Sequence, residues 1–388
     1  MHIQEKDKAY IAGTYGRFPV TLVKGKGSEV FDENGKRYID LGTGIAVNAF
    51  GVADDAWKEA VINQLDKIQH ASNLYYTEPQ VQLAEALVGA TGMKKVFFGN
   101  SGAEANECAI KVARKYGTDK YGEGHHRIIT LKNSFHGRTI TTLAATGQDV
   151  FHTSFTPFTE GFSYAVANDI DDMKAKFQEA DDVCGVLMEL VQGEGGVMAL
   201  DKEYVQEVAK LCREKDALLM IDEVQTGNGR TGSIYAFMQY DITPDVVTTA
   251  KGLGGGLPIG ACIIGEKAEN VLTPSSHGST FGGNPICAAG AVHVFSRLTP
   301  ELLEGVKERE ALIRSTLQDA PGVKEISGMG LMLGITPTEK SAKEIVNEAL
   351  SKGVLVLTAK EKVRLLPALN IPMEQLTEAL SVLKEIFA

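Results

Sequence analysis

Residues 217–260 read ALLMIDEVQTGNGRTGSIYAFMQYDITPDVVTTAKGLGGGLPIG. Two short apolar runs in this stretch decide the fold. One ends at Asp222 and the other ends just before Lys251. Apolar runs of this length, bounded by turn residues, read as buried strands. Each strand delivers one ionisable group at its end, a carboxylate and an amine. A glycine-rich run, GLGGGLPIG, follows the lysine.

This pairing has a chemical meaning. A lysine amine becomes a nucleophile once desolvation or a nearby cation lowers its pKa, and it can then form a Schiff base with an aldehyde. A carboxylate can hold a pyridine nitrogen protonated, which makes the ring a far better electron sink. These are the two protein groups that pyridoxal phosphate needs. Taken singly, the same residues read as a surface lysine and a helix-capping aspartate.

A third segment, residues 94–116 (KKVFFGNSGAEANECAIKVARKY), reads as strand, turn and helix. Val96, Phe97 and Phe98 make the strand. Ser101 and Glu104 have capping-box spacing. Ala109, Val112, Ala113 and Tyr116 recur at helical spacing. The N–H groups at that helix start would face an anion, and Gly102 would let a phosphate approach closely. An ordinary capped helix gives the same pattern.

Further stretches carry a resemblance. TYGRFPVTLVKGKG, GIAVNAFG, SNLYYTEPQ, GNSGAEANE, FHGRT, QGEGG, IDEVQTGNGRTG, TTAKGLGGGLPIGA, HGSTFGGNP and VRLLPAL follow one another from about Tyr15 to Pro367. In this the chain resembles the class III aminotransferases of the fold-type I pyridoxal-phosphate enzymes, with the acetylornithine-type members nearest. The resemblance implies an α/β fold with a large, mostly parallel sheet flanked by helices, plus a smaller α+β domain. It implies pyridoxal 5'-phosphate as cofactor and a homodimer with shared active sites.

The resemblance also assigns residues. Lys251 would carry the cofactor and shuttle the proton. Asp222 would pair with the ring nitrogen, Gln225 would contact the ring hydroxyl side, and Phe135 would stack on the ring face. Gly102 and Ala103 would donate N–H groups to the phosphate, and Thr280 would reach the phosphate of the neighbouring subunit. Ser279 would lie near the substrate. Arg138 would clamp the donor's α-carboxylate. Glu194 would neutralise Arg364 and then release it for the α-carboxylate of 2-oxoglutarate. Without the resemblance, Phe135 reads as a core residue and the Glu194–Arg364 combination as a structural ion pair. Tyr15 matches a position that contacts an ornithine α-amino group, which an acetylated nitrogen would not need. Many relatives carry G-H-x-H-P after GIAVN, whereas this chain has Gly51-Val52-Ala53-Asp54-Asp55.

Composition agrees with an enzyme of this kind. The 388 residues can bury a large core. The net charge of −11 and the lack of a basic run argue against nucleic-acid and anionic-membrane partners. The histidines show no metal-ligand spacing, and His125-His126 sits in a loop expected to be solvated. Cysteines at 108, 184, 212, 262 and 287 form no C-x-x-C and read as reduced core thiols. The opening residues MHIQEKDKAY lack the apolar core of a secretion signal, and no run reaches the ~20 apolar residues that span a bilayer. A cytoplasmic location is expected.

Three regions are expected: an N-terminal segment at 1–58 that joins the small domain, a large cofactor-binding domain at 59–287, and a C-terminal small-domain portion at 288–388. VFDENGKRYIDL predicts a hairpin closed by Asn34-Gly35 as a two-residue turn. VLVLT-AKEK-VRLLP predicts a second hairpin that carries Arg364. A final helix is expected from Pro372. The expected reaction moves the terminal amine of N2-acetyl-L-ornithine to 2-oxoglutarate, a step of arginine biosynthesis. The alternatives are a succinylornithine, ornithine or 4-aminobutyrate aminotransferase, an aminomutase on the same scaffold, or a non-catalytic α/β binding protein.

Overall fold

The apolar runs that end at Asp222 and Lys251 are neighbouring parallel strands, with Met220 opposite Val246 and Asp222 opposite Thr248. A computed structural model describes residues 3–388; Met1 and His2, where the expected N-terminal segment begins, lie outside it. Among the described residues, seven strands form the central sheet. Their order is Lys95–Gly99, Gly260–Ile264, Val246–Thr249, Leu218–Asp222, Val183–Met188, Arg127–Leu131 and Phe162–Ala165. Only Gly260–Ile264 runs antiparallel to its neighbours.

Alternation along these strands builds two cores. Ile129, Val186, Leu219, Ile221, Val247 and Ile263 face one buried cluster, which also takes in Leu83, Leu87, Val205 and Val208 from covering helices. Ile128, Leu187, Leu218, Met220, Val246 and Cys262 face the other, where Ala109, Val112 and Ala113 of the helix Gly102–Tyr121 pack. Both faces are therefore covered, as a mostly parallel sheet requires. Burying one such aliphatic side chain contributes about 1.5–3 kcal/mol.

A third cluster joins distant parts of the chain. Ile39, Leu41, Ala49 and Phe50 share it with Val306, Ile313, Leu333, Leu365, Leu376 and Leu383. Val354–Leu355 pairs in parallel with Arg37–Asp40 and ties the same two regions through the backbone. The boundary expected at 287/288 falls inside the helix Pro285–Ser296. The last helix runs Met373–Ile386 with Pro372 as its cap, and Leu376, Leu380, Leu383 and Phe387 are buried.

Local chemistry changes several expected details. The first hairpin closes with a three-residue loop, because Asp32 N–H donates to the Lys36 carbonyl and Gly35 takes φ 82°. Asp32 Oδ1 also accepts from the N–H groups of Asn34 and Lys36, which favours the longer turn. The second hairpin is tighter than expected, with Ala359 opposite Lys362. Ser101 caps its helix, but Glu104 reaches back to the Asn100 N–H rather than to Ser101 N–H. His125 and His126 are half-buried, and His125 Nε2 lies 3.1 Å from the Val183 carbonyl. Among the described residues no helix is long and apolar enough to cross a membrane.

The segment that departs from G-H-x-H-P has a structural use. Asp54 caps the helix Asp55–Leu65 by accepting from Trp57 N–H at 2.9 Å, and it pairs with Arg297 at 2.9 Å. Asp54→Ala should lower stability by about 1–2 kcal/mol, the usual cost of a lost cap. Urea denaturation of the two proteins measures it, and equal midpoints would show that the cap carries no stability.

Candidate active site

Asp222 is buried at the end of its strand and accepts three hydrogen bonds. Its Oδ2 takes Asn106 Nδ2 at 2.7 Å and His136 Nδ1 at 2.8 Å, and its Oδ1 takes Val224 N–H at 3.0 Å. Asn106 is itself oriented, since its Oδ1 accepts from Thr248 Oγ1 at 2.7 Å. Thr248 stands opposite Asp222 on the adjacent strand, so sheet register builds this cluster. Donation to the carboxylate assigns the His136 proton to Nδ1. Among the described residues, the buried His136 Nε2 finds no hydrogen-bond partner.

Lys251 follows the next strand with a left-handed backbone, φ 45°. Non-glycine residues seldom adopt this conformation, and it clusters at functional sites. Buried Asn228 holds the strand end just before it, donating to Thr249 Oγ1 at 2.9 Å and to the Ala250 carbonyl at 3.1 Å. Burial lowers the Lys251 pKa below its ordinary value, while the negative charges of Glu194 and Asp222 oppose the shift. A lowered pKa increases the neutral, nucleophilic fraction of the amine.

The helix Gly102–Tyr121 begins beside this cluster. Ser101 Oγ accepts from Glu104 N–H, and Ala105 N–H donates to the Ser101 carbonyl. The N–H groups of Gly102 and Ala103 stand in the first turn, where no intrahelical acceptor exists. A methyl group at Gly102 would lie 2.6 Å from Val224 Cγ1, so only glycine lets the helix start this close to the Asp222 loop. A helix N-terminus for a phosphate, a carboxylate for a ring nitrogen and a desolvated amine for an aldehyde form a donor set that fits pyridoxal phosphate.

A second charged cluster adjoins the first. Arg364 Nη1 donates to Glu194 Oε1 at 2.6 Å, Nη2 donates to Oε2 at 3.4 Å, and Nη1 also reaches Gln225 Oε1 at 3.3 Å. The Arg364 side chain is 4% exposed and Glu194 31%, so the carboxylate is the partner with room to leave. Arg364 Nε is buried without a hydrogen-bond partner among the described residues. Glu189 lies deeper and accepts from Phe135 N–H at 2.8 Å and from Gly193 N–H at 3.1 Å. Burial pushes its pKa up to about 7.

The remaining expected residues are more open. Arg138 is exposed and lies over Phe151 at 4.1 Å and Phe135 at 5.4 Å, a cation–π seat that leaves its donors to other partners. Phe135 is half-buried and meets Phe151 edge to face at 6.1 Å. Ser279 Oγ accepts from Asn100 Nδ2 at 3.2 Å, but neighbouring Thr280 is exposed. Tyr15 is exposed under Arg17, and the chain does not enclose it. Sequence reasoning missed Asn106, His136 and Asn228 as site-builders. Each lies inside a motif quoted above, and a buried polar residue in such a motif is the signal that could have found it.

The family of aminotransferases of class III matches residues 10–387. A protein of Haemophilus ducreyi, acetylornithine aminotransferase, is 51% identical over 387 residues, covering 100% of this chain and 98% of that one. The succinylornithine transaminase of Salmonella paratyphi A is 44% identical over 386 residues, covering 97% and 94%. The ornithine aminotransferase structure from Toxoplasma gondii, with partial occupancy of PLP at its active site, superposes with a TM-score of 0.93. It is 29% identical and covers 99% of this chain and 93% of its own.

Glu189 makes a pH prediction. Its pKa rises from 4.5 to about 7 on folding, so between those values the folded chain holds more protons than the unfolded one. Its contribution to stability therefore falls as pH rises through that window and is level above it. Glu189→Gln removes this loss, so the melting temperature of the variant minus that of the wild type should increase from about pH 5 to about pH 8. A difference that does not change with pH would contradict a titrating Glu189.

Proposed function

The chain belongs to the class III aminotransferase family, and from that premise we propose that it moves the terminal amino group of N2-acetyl-L-ornithine to 2-oxoglutarate. The products are N-acetyl-L-glutamate 5-semialdehyde and L-glutamate, as in arginine biosynthesis. The cofactor is pyridoxal 5'-phosphate. The observation that carries the reading is the Glu194–Arg364 pair beside Lys251 and Asp222, because this exchange must accept two unlike carboxylates in turn.

When bound, the cofactor supplies an electron-withdrawing ring that labilises bonds at the carbon bearing the amine. Asp222, fixed by Asn106 and His136, would hold the ring nitrogen. Phe135 would lie on the ring, Gln225 would serve its hydroxyl side, and the N–H groups of Gly102 and Ala103 would hold the phosphate. Lys251 Nζ takes the proton from the amine-bearing carbon and returns it, and its lowered pKa suits it to act as a base. Arg138 binds the donor's α-carboxylate. Glu194 neutralises Arg364 while the donor occupies the site, then turns away so that Arg364 can bind the α-carboxylate of 2-oxoglutarate. Ser279 lies along the substrate, and Tyr15 borders the acylated nitrogen.

In this reading the active enzyme is a homodimer, and Thr280 of the partner subunit completes the phosphate site. Leu74 and Tyr76, 87% and 99% exposed, support a covered surface. They adjoin the Thr280 loop, because Asn73 Nδ2 donates to the Ser279 and Gly282 carbonyls. The helix Ile3–Tyr10 buries none of its residues and is available to the same partner. Residues 3–58 and the chain after the helix Pro285–Ser296 make the small domain, and the region between them the large one. Five buried free cysteines support a reducing cytoplasm.

Three experiments test this reading. Lys251→Ala should retain the cofactor but lose almost all turnover, as monitored by absorbance and product formation; a full-rate variant would sink the assignment. Among acetylornithine, succinylornithine, ornithine and 4-aminobutyrate, acetylornithine should give the highest kcat/KM. The likeness to succinylornithine transaminase makes succinylornithine the second candidate, and a higher value for it would replace the proposal. Mixing Thr280→Ala with Lys251→Ala subunits should give heterodimers with one intact site and activity above either parent. No recovery despite subunit exchange would mean that each site is built from one chain.

A further inference from the structure

The turn that carries Glu194 is fixed unusually tightly. A methyl group at Gly193 would lie 2.5 Å from Gln225 Nε2, and one at Gly195 would lie 2.5 Å from the Asn133 carbonyl oxygen. Gly196 takes φ 107°, and Val197 N–H donates to the Gly193 carbonyl at 3.4 Å. The turn ends in a β-branched residue with a left-handed backbone, since Val197 has φ 53°. That conformation is a true outlier for valine, so the surrounding structure must impose it.

The cause lies across the cleft. Val197 is fully buried in a small apolar cluster with Ala46, Val191, Met332, Ala359 and Leu366. A methyl group at Gly334 would lie 2.8 Å from Val197 Cβ, and one at Gly328 would lie 2.8 Å from Val197 Cγ1. Two glycines of adjacent strands, Val323–Met329 and Met332–Pro337, thus leave a notch that the valine fills. Gly334 stands directly opposite Arg364 in the sheet. The turn therefore meets one sheet twice, through Glu194 at the strand of Arg364 and through Val197 at the two strands beside it.

We propose that Val197 is a positioning residue for substrate exchange. Seated between Gly328 and Gly334, it locks the Gly193–Val197 turn to the sheet that carries Arg364, beside that residue's own strand, so that Glu194 leaves and returns by side-chain rotation on an unmoving backbone. The inference rests on the gating role given to Glu194. A loosened turn would misalign the carboxylate with Arg364 and weaken the masking of the arginine. The donor half-reaction would then suffer more than the half-reaction with glutamate.

The test compares single-turnover rates with acetylornithine and glutamate, read from cofactor absorbance, in wild type, Val197→Ala, Glu194→Gln and the double variant. Val197→Ala should shift the glutamate-to-acetylornithine rate ratio in the same direction as Glu194→Gln, by roughly twofold to thirtyfold. On the Glu194→Gln background it should add nothing to the ratio. An unchanged ratio in Val197→Ala beside a shifted one in Glu194→Gln, or fully additive shifts, would overturn the proposal. An unchanged ratio in Glu194→Gln would instead overturn the gating role itself. Gly334→Ala, which overfills the notch, covers the case in which the smaller valine replacement fails to fold. It should be destabilised, and its ratio should shift in the same direction as that of Glu194→Gln, because the added methyl presses on Val197 Cβ. A Gly334→Ala protein with wild-type melting and ratio would contradict the notch.

Discussion

The site depends on one buried carboxylate. Asp222 sits at the end of a strand, buried away from bulk solvent, and an unpartnered charge there would be costly. The chain satisfies it from three directions: a helix through Asn106, a loop through His136, and its own following backbone through Val224. Those donors in turn require the helix Gly102–Tyr121 to lie against the sheet, which Gly102 permits by yielding its side-chain space to Val224. The helix start, where a phosphate would be received, is thereby set relative to the carboxylate. Lys251 is set by the next strand over, through its parallel register. One electrostatic requirement thus fixes the distances among the three groups that a cofactor with a ring nitrogen, a phosphate and an aldehyde must touch.

The second charged cluster obeys a different rule. Under the proposed exchange the partners of this buried ion pair separate during turnover, so the pair cannot be optimised for stability alone. Here the asymmetry is structural. Arg364 is anchored on a strand and nearly inaccessible, while Glu194 stands on a turn with its carboxylate partly open to solvent. The backbone beneath Glu194 is held by glycine close approaches and by Val197. In the proposed gating, the Glu194 side chain switches on a turn held in place, without disturbing the neighbouring carbonyls.

Much of this was legible in the sequence because strands and helix starts are local. Apolar runs ending in Asp222 and Lys251 announce themselves, and so does Ser101 before a helical repeat. Arg364 was placed on a hairpin arm for the same reason. Asn106 and His136 were not legible as partners of Asp222, since only sheet register and helix packing bring such distant positions together. The turn at Asn34-Gly35 was misread because the Asp32 side chain captures two N–H groups, an interaction that dipeptide preference ignores. Val197 was invisible for the opposite reason: valine is the residue least expected at positive φ, and tertiary packing overrode that preference. Thr280 shows a further limit, because one chain leaves it exposed and its proposed duty belongs to a second.

The protonation of the cofactor ring nitrogen bears most directly on this account. The enzyme, reconstituted with pyridoxal phosphate labelled with nitrogen-15 in the ring, can be examined by solid-state NMR across the neutral pH range. The account predicts a protonated ring nitrogen throughout in the wild type and a neutral one in Asp222→Ala. A neutral nitrogen in the wild type, or a protonated one that survives loss of Asp222, would contradict the claim that this buried carboxylate organises the site.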